Sequence, residues 1–154
     1  SMAEHKGKIF GLQRGTNRKK IPEYREQLAQ LGLGLEDKMQ VKVGALSGGQ
    51  RQALSLLMSV MTPVEFLILD EHTAALDPKA ADIIMQLTDR IVKEKKLTAI
   101  MVTHNLRYAA EYGDRLVMMH QGKAVMDMKG EKKQKVQIDD ILGKFNEISI
   151  ECGN

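Results

Sequence analysis

The feature that most narrows what this chain can fold into is a run of four apolar residues that stops at two acids: Phe66-Leu67-Ile68-Leu69, then Asp70-Glu71. An apolar stretch of that length, without alternation, suits a strand buried on both faces of a parallel sheet. A second such run, Leu97 to Val102, ends at Thr103-His104. Between the two, Asp77-Pro78 opens a helix, with Pro at the first position, where the missing N–H costs nothing. Ile83, Ile84, Leu87 and Ile91 then fall on one stripe. Strand, helix and strand in that order predict an α/β fold with a mostly parallel sheet flanked by helices.

The same reading extends outward. Pro22 starts an earlier helix, whose apolar face carries Tyr24, Leu28 and Leu31 and which stops at Gly32. Residues 33–45 read mostly as loop. Ser47 reads as the N-cap of a helix from about Gly49 to Met61, with Ala53, Leu54, Leu57, Met58 and Met61 on its buried side and Thr62-Pro63 as its end. A short helix from Leu106 to Glu111 follows the second strand. Arg115 to His120 and Lys123 to Met128 are expected to pair as a hairpin around Gln121-Gly122. Lys129 to Lys135 is charged and expected to be exposed, and Ile138 to Phe145 is expected to be helical.

Composition sets limits on function. Apolar residues make up 43% of the 154, enough for a real core, so wholesale disorder is excluded. Aromatics are only 4% and Trp is absent, so Leu, Ile, Val and ten Met must fill that core. A net charge of +3 is too weak to argue for nucleic acid, although Arg14, Arg18, Lys19 and Lys20 cluster near the start. The single Cys152 excludes a disulfide framework and fits a reducing compartment. No stretch of about 18 apolar residues is present to cross a membrane.

Chemistry concentrates at four places. Leu46-Ser47-Gly48-Gly49-Gln50 puts two glycines after a Ser at a helix start, where free backbone N–H groups and the helix dipole favour a terminal phosphate. Taken alone, the same residues serve equally well as an N-cap and tight turn. Asp70 ends a strand, where ligands of open α/β sheets gather, and its hard oxygens suit Mg²⁺, held usually through water. Glu71, one residue on, is a candidate base for polarising an attacking water. Asp77, in Ala75-Leu76-Asp77 a few residues past Glu71, reads as the N-cap of the next helix. His104, at the end of the second strand, is a candidate γ-phosphate contact.

In this order and at these spacings the four elements resemble the ATP-binding cassette (ABC) ATPases, a family of P-loop NTPases. Leu46 to Gln50 matches the signature motif without a substitution. Residues 66–71 match the Walker B strand and the catalytic Glu after it. Ala75-Leu76-Asp77 matches the D-loop, with Ala75 where Ser is commoner, and His104 matches the switch His. The resemblance runs from about residue 22 to about 128.

The resemblance implies a division into the remainder of the helical subdomain (1–62), the C-terminal half of the ATPase core (63–128) and a charged tail with a short helix (129–154). It also implies ATP and Mg²⁺ as ligands, with Asp70 on the metal, Glu71 and His104 in catalysis, and Ser47, Gly48, Gly49, Gln50 and Asp77 on nucleotide. The family works as a head-to-tail dimer, in which the signature turn closes over ATP held by the other subunit. A second copy of the ATPase subunit and a membrane permease are therefore the expected partners, and no nucleic acid is expected. The expected location is cytoplasmic, peripheral on the inner face of the membrane.

No G-x-x-x-x-G-K-[ST] loop is present. Only 45 residues precede Leu46, so the chain is expected to be a C-terminal part of such a protein, cut at or just after the Q-loop, and inactive alone. The leading expectation is the ATPase of a bacterial transporter, of the uptake kind. Glu71-His72-Thr73-Ala74-Ala75-Leu76-Asp77-Pro78-Lys79 resembles a group of bacterial uptake ATPases for amino acids or related solutes. The alternative is a non-transport ABC ATPase of DNA repair or the ribosome.

Overall fold

The computed structural model describes residues 18–151. Arg14 and Cys152 lie outside the described residues. Contacts divide the chain into two compact units, the first running to Met101 and the second starting at Val102.

In the first unit, α1 (Ile21–Ala29) begins with Pro22 in its first turn. Its chain is turned out by Gly32, whose N–H bonds the Ala29 carbonyl at 3.0 Å. Leu31 and Leu35 drop into the core from the loop that follows. Helix α2 (Gly48–Val60) leads to β1 (Phe66–Asp70), α3 (Pro78–Glu94) and β2 (Thr98–Val102). β1 and β2 pair in a parallel two-stranded sheet joined through α3. One core gathers Leu31, Leu35 and Leu46, Ala53, Leu56 and Val60 of α2, Leu67 and Leu69 of β1, and Ile84, Leu87 and Ile91 of α3. Both helices therefore cover the Leu67/Leu69 face of the sheet.

This corrects the expectation of a strand buried on both faces. Exposure alternates along β1: Phe66 and Ile68, on the other face, are 49% and 66% exposed. In β2, Ile100 is exposed as well. The apolar run does form the expected strand, but within the first unit the helices α2 and α3 pack on only one of its faces. Two helix faces are also rotated from the expected stripes. On α2, Met58 is exposed while Leu56 and Val60 are buried; on α3, Ile83 is exposed while Met85 and Thr88 are buried beside Ile84, Leu87 and Ile91. The packing direction of α2 is set by its contacts with β1 and α3, which apolar periodicity cannot supply.

In the second unit, α4 (Leu106–Glu111) precedes an antiparallel hairpin of β3 (Arg115–His120) and β4 (Lys123–Lys129). Gln121 and Gly122 both take positive φ, the pattern of a type I′ turn whose twist matches the strands. A bulge between Met118 and Met119 shifts the register so that Met119 faces Ala124. Arg115 makes a two-pronged contact with Asp127, at 2.9 and 2.7 Å. Beyond the hairpin come α5 (Glu131–Gln134) and α6 (Ile138–Glu151), the latter longer than the expected Ile138 to Phe145 because Ile148 joins Met118, Val136 and Ile141 in a second small core. The charged stretch before it is not wholly exposed. Lys133 is only 2% exposed and donates to the Ala110 carbonyl near the end of α4, so a cation serves a helix C-terminus there. Among the described residues no helix is long and apolar enough to cross a membrane.

Candidate functional site

The signature turn is built by a reciprocal cap. Ser47 adopts extended φ/ψ before α2, and its Oγ accepts from the Gln50 N–H at 3.2 Å. Gln50 Oε1 accepts from the Ser47 N–H at 3.2 Å, which completes a capping box. The rest of the Gln50 amide is also engaged: Nε2 donates to the Leu33 carbonyl at 3.0 Å, and Oε1 accepts from Lys38 Nζ at 3.1 Å. Arg51 Nη1 holds the Leu46 carbonyl at 2.9 Å. In this structure the Gln50 side chain is thus occupied in shaping the turn.

The positions of the turn's N–H groups follow. Arg51 N–H bonds the Ser47 carbonyl, and the Gln50 N–H goes to Ser47 Oγ. The Gly48 and Gly49 N–H groups lie at the first two helical positions, where an α-helix offers no carbonyl partner. They sit at the positive end of a 13-residue helix. Ser47 Oγ accepts one bond, and its own proton is left to donate outward. An anion presented here meets two N–H donors and a hydroxyl.

Gly48 has a steric reason too: a Cβ there would stand 3.1 Å from Leu76 Cδ2, so that side chain would have to shift, whereas one on Gly49 would make an ordinary contact, 3.4 Å from Ala80 Cβ. The start of α2 is therefore packed against the start of α3. Asp77 caps α3 by accepting from the Ala80 N–H at 3.0 Å. The structure thus brings the Ser47–Gln50 turn and the Asp77 loop together in the first unit.

Asp70 closes β1 and is exposed. Glu71 follows with φ +46°, a left-handed conformation that L residues avoid. That residue ends the extended backbone of β1 and turns the chain toward the segment that leads to α3. Among the described residues no group of three or more His, Cys, Asp or Glu gathers to enclose a metal. One exposed carboxylate at a strand end nevertheless fits Mg²⁺, which binds through one or two carboxylates with waters and substrate phosphates as its other ligands.

His72 was not singled out by its sequence position. Its Nε2 lies 3.3 Å from Thr88 Oγ1, and the Thr88 hydroxyl gives its proton to the Ile84 carbonyl at 2.7 Å. Thr88 Oγ1 is therefore the acceptor, and His72 Nε2 carries the hydrogen. Burial pushes the imidazole below the usual histidine value, partly opposed by the Glu71 carboxylate. No sequence signal pointed to the His72–Thr88 contact. The Ser-x-x-Gln spacing of the capping box was there to be read.

His104 belongs to the second unit. It is exposed and follows Thr103, whose Oγ1 accepts from the Asn105 N–H at 3.0 Å. Asn105 Oδ1 in turn caps α4 through the Arg107 and Tyr108 N–H groups, at 3.1 and 3.3 Å.

A family model described as ABC transporter matches residues 3–74. The tyrosine transport ATP-binding protein of Clostridioides difficile is 47% identical over 145 residues, which is 94% of this chain and 57% of that protein. These two findings support an ABC ATPase domain. The energy-coupling factor transporter ATP-binding protein EcfA2 of Bacillus cereus is 40% identical over 87 residues, covering 56% of this chain and 30% of that protein. The chain therefore spans little more than half the length of the first of these relatives, and less of the second. Among solved structures, the ADP conformation of an ATP-binding cassette of an ABC transporter superposes with a TM-score of 0.70 at 24% identity, over 92% of this chain and 54% of that one, a likeness of fold. A dimeric, post-hydrolysis ATP-binding cassette bound to ADP and Pi superposes at 0.58 with 30% identity, over 79% of this chain and 51% of that one. The fold is that of ABC-type P-loop ATPase domains.

Proposed function

We propose that this chain carries the phosphate-sensing and water-polarising residues of an ATPase subunit that drives a bacterial transporter, of the uptake kind, for an amino acid or related solute. The observation that carries the reading is the packing of the Ser47-Gly48-Gly49 turn onto the Leu76–Ala80 corner, with Asp70 and Glu71 at the end of the strand just before it. The solute class is supported by the likeness to the tyrosine transport ATP-binding protein of Clostridioides difficile.

In this reading the Gly48 and Gly49 N–H groups and the Ser47 hydroxyl bind the terminal phosphate of an ATP held by a second copy of the subunit. Gln50 shapes that turn. Asp70 would hold Mg²⁺, whose charge offsets that building on the phosphate oxygens. Glu71 polarises the attacking water, His104 contacts the γ-phosphate, and Asp77 fixes the corner between the two helix starts. The subunit sits at the inner face of the membrane against a permease. No ATP-gripping G-x-x-x-x-G-K-[ST] loop occurs in the sequence, so the chain by itself is expected not to turn over ATP. A turnover near that of an intact ABC protein would contradict this.

The direct test is Glu71→Gln in a full-length protein containing this chain. Hydrolysis should fall sharply while ATP binding survives, because the amide keeps the shape but cannot accept a proton. Unchanged hydrolysis would remove Glu71 from the base role.

A further inference from the structure

We propose that His72 and Thr88 form a strut that holds the backbone of Glu71 in its left-handed conformation, which makes His72 a positioning residue for the water-polarising carboxylate. The functional half of this statement rests on the role proposed for Glu71; the strut itself does not.

Glu71 at φ +46° is in a conformation that costs a non-glycine residue on the order of 1–3 kcal/mol and persists only where its surroundings over-determine it. The surroundings are identifiable. Directly after Glu71, the His72 ring donates to Thr88 Oγ1 at 3.3 Å. Thr88 is buried, and its hydroxyl is aimed by its own 2.7 Å bond to the Ile84 carbonyl. Ile84 is fully buried, and α3 is seated in the core by Ile84, Leu87 and Ile91. The strut therefore ties the residue after Glu71 to the best-packed helix of the unit.

The rest of the segment closes onto the same helix. Ala74 N–H returns to the Glu71 carbonyl at 3.0 Å, and Leu76 N–H returns to the Thr73 carbonyl at 3.1 Å. Thr73 is buried and Asp77 caps α3. The segment 71–77 is thus anchored to α3 at both ends, through His72 near Glu71 and through Asp77 at the helix start. Removing the Thr88 acceptor would leave the half-buried His72 N–H without its partner. It would also free the residue that follows the strained one.

The test uses a full-length protein containing this chain, with Thr88→Val (same shape, no acceptor), Thr88→Ser (acceptor kept) and Glu71→Gln. Each is checked for folding by thermal melting. In the parent, nitrogen-15 spectra should show the hydrogen on His72 Nε2 protected from exchange. Thr88→Val should lose that protection and lower kcat by about tenfold or more with KM for ATP little changed, as expected when a catalytic group is misplaced rather than removed. Thr88→Ser should restore both. Should Thr88→Val fail to fold, His72→Gln against His72→Phe gives the same comparison of donor kept and donor lost. An unprotected His72 Nε2 hydrogen in the parent would overturn the strut, and normal kcat in Thr88→Val, beside a Glu71→Gln variant that no longer hydrolyses ATP, would overturn the positioning role and leave the Glu71 reading standing. Normal hydrolysis in Glu71→Gln would overturn the base assignment and the positioning role with it.

Discussion

Replacing Ser47 by Ala removes the hydroxyl that accepts from the Gln50 N–H, one half of the capping box at the start of α2. The other half, Gln50 Oε1 with the Ser47 N–H, survives the change. Loss of a Ser cap costs about 1 kcal/mol, whereas Gly at the same position costs only a few tenths. For a chain of this size, about 1 kcal/mol lowers the melting temperature by roughly 3 °C. Ser47→Asp keeps an acceptor and places a negative charge at the positive end of α2, so its stability should equal the parent's or exceed it by a few tenths of a kcal/mol. That same charge faces the place where the terminal phosphate of ATP is proposed to sit. Ser47→Asp should therefore keep the fold and abolish ATP-dependent dimerisation of a full-length protein. Thermal melting by circular dichroism reads the first effect, and light scattering with and without ATP reads the second. A Ser47→Asp variant as unstable as Ser47→Ala would refute the cap. A stable Ser47→Asp variant that still dimerises with ATP would refute the phosphate-facing role.

Glu71→Gly should stabilise the isolated chain by about 1 kcal/mol, because Gly takes φ +46° without the Cβ penalty; urea unfolding that shows a loss would mean the conformation is not strained. Ile84, fully buried between α2 and β1, should cost about 2–5 kcal/mol as Ile84→Ala, seen as a matching drop in the urea midpoint. Burial holds the Lys133 ammonium below the usual lysine range, opposed by Asp114. The unfolded chain then keeps that proton to higher pH than the folded one, so stability should rise as pH climbs toward about 10.5. Lys133→Met should flatten that rise, and parallel pH–stability curves for the two proteins would contradict the buried cation.

Much of the chain was legible because its local signals agree. Pro22 and Pro78 in first turns, Ser47 and Asp77 as caps, and Gln121-Gly122 at the hairpin all mark element ends through backbone chemistry that acts within a few residues. Burial was less legible. Phe66 and Ile68 are as apolar as Leu67 and Leu69, and only the placement of α2 and α3 decides which pair is covered. Met58 and Leu56 differ in the same way. Lys133 reads as solvated on composition alone, yet it is buried because the Ala110 carbonyl needs a donor.

The candidate site divides along the same line. Residue types and order were enough to make Ser47, Gly48, Gly49, Asp70, Glu71, Asp77 and His104 candidates for a phosphate chemistry, since each motif is contiguous and its donors or carboxylates are written in the chain. Three features appeared only with the tertiary structure: that Gly48 clears Leu76, that Gln50 is spent on the Leu33 loop, and that His72 reaches Thr88 on a helix sixteen residues away. Each joins segments distant in sequence. A short motif specifies which atoms can bind a phosphate, but the left-handed turn at Glu71 and the close approach of α2 to α3 depend on how the core packs, and packing is a property of the whole chain.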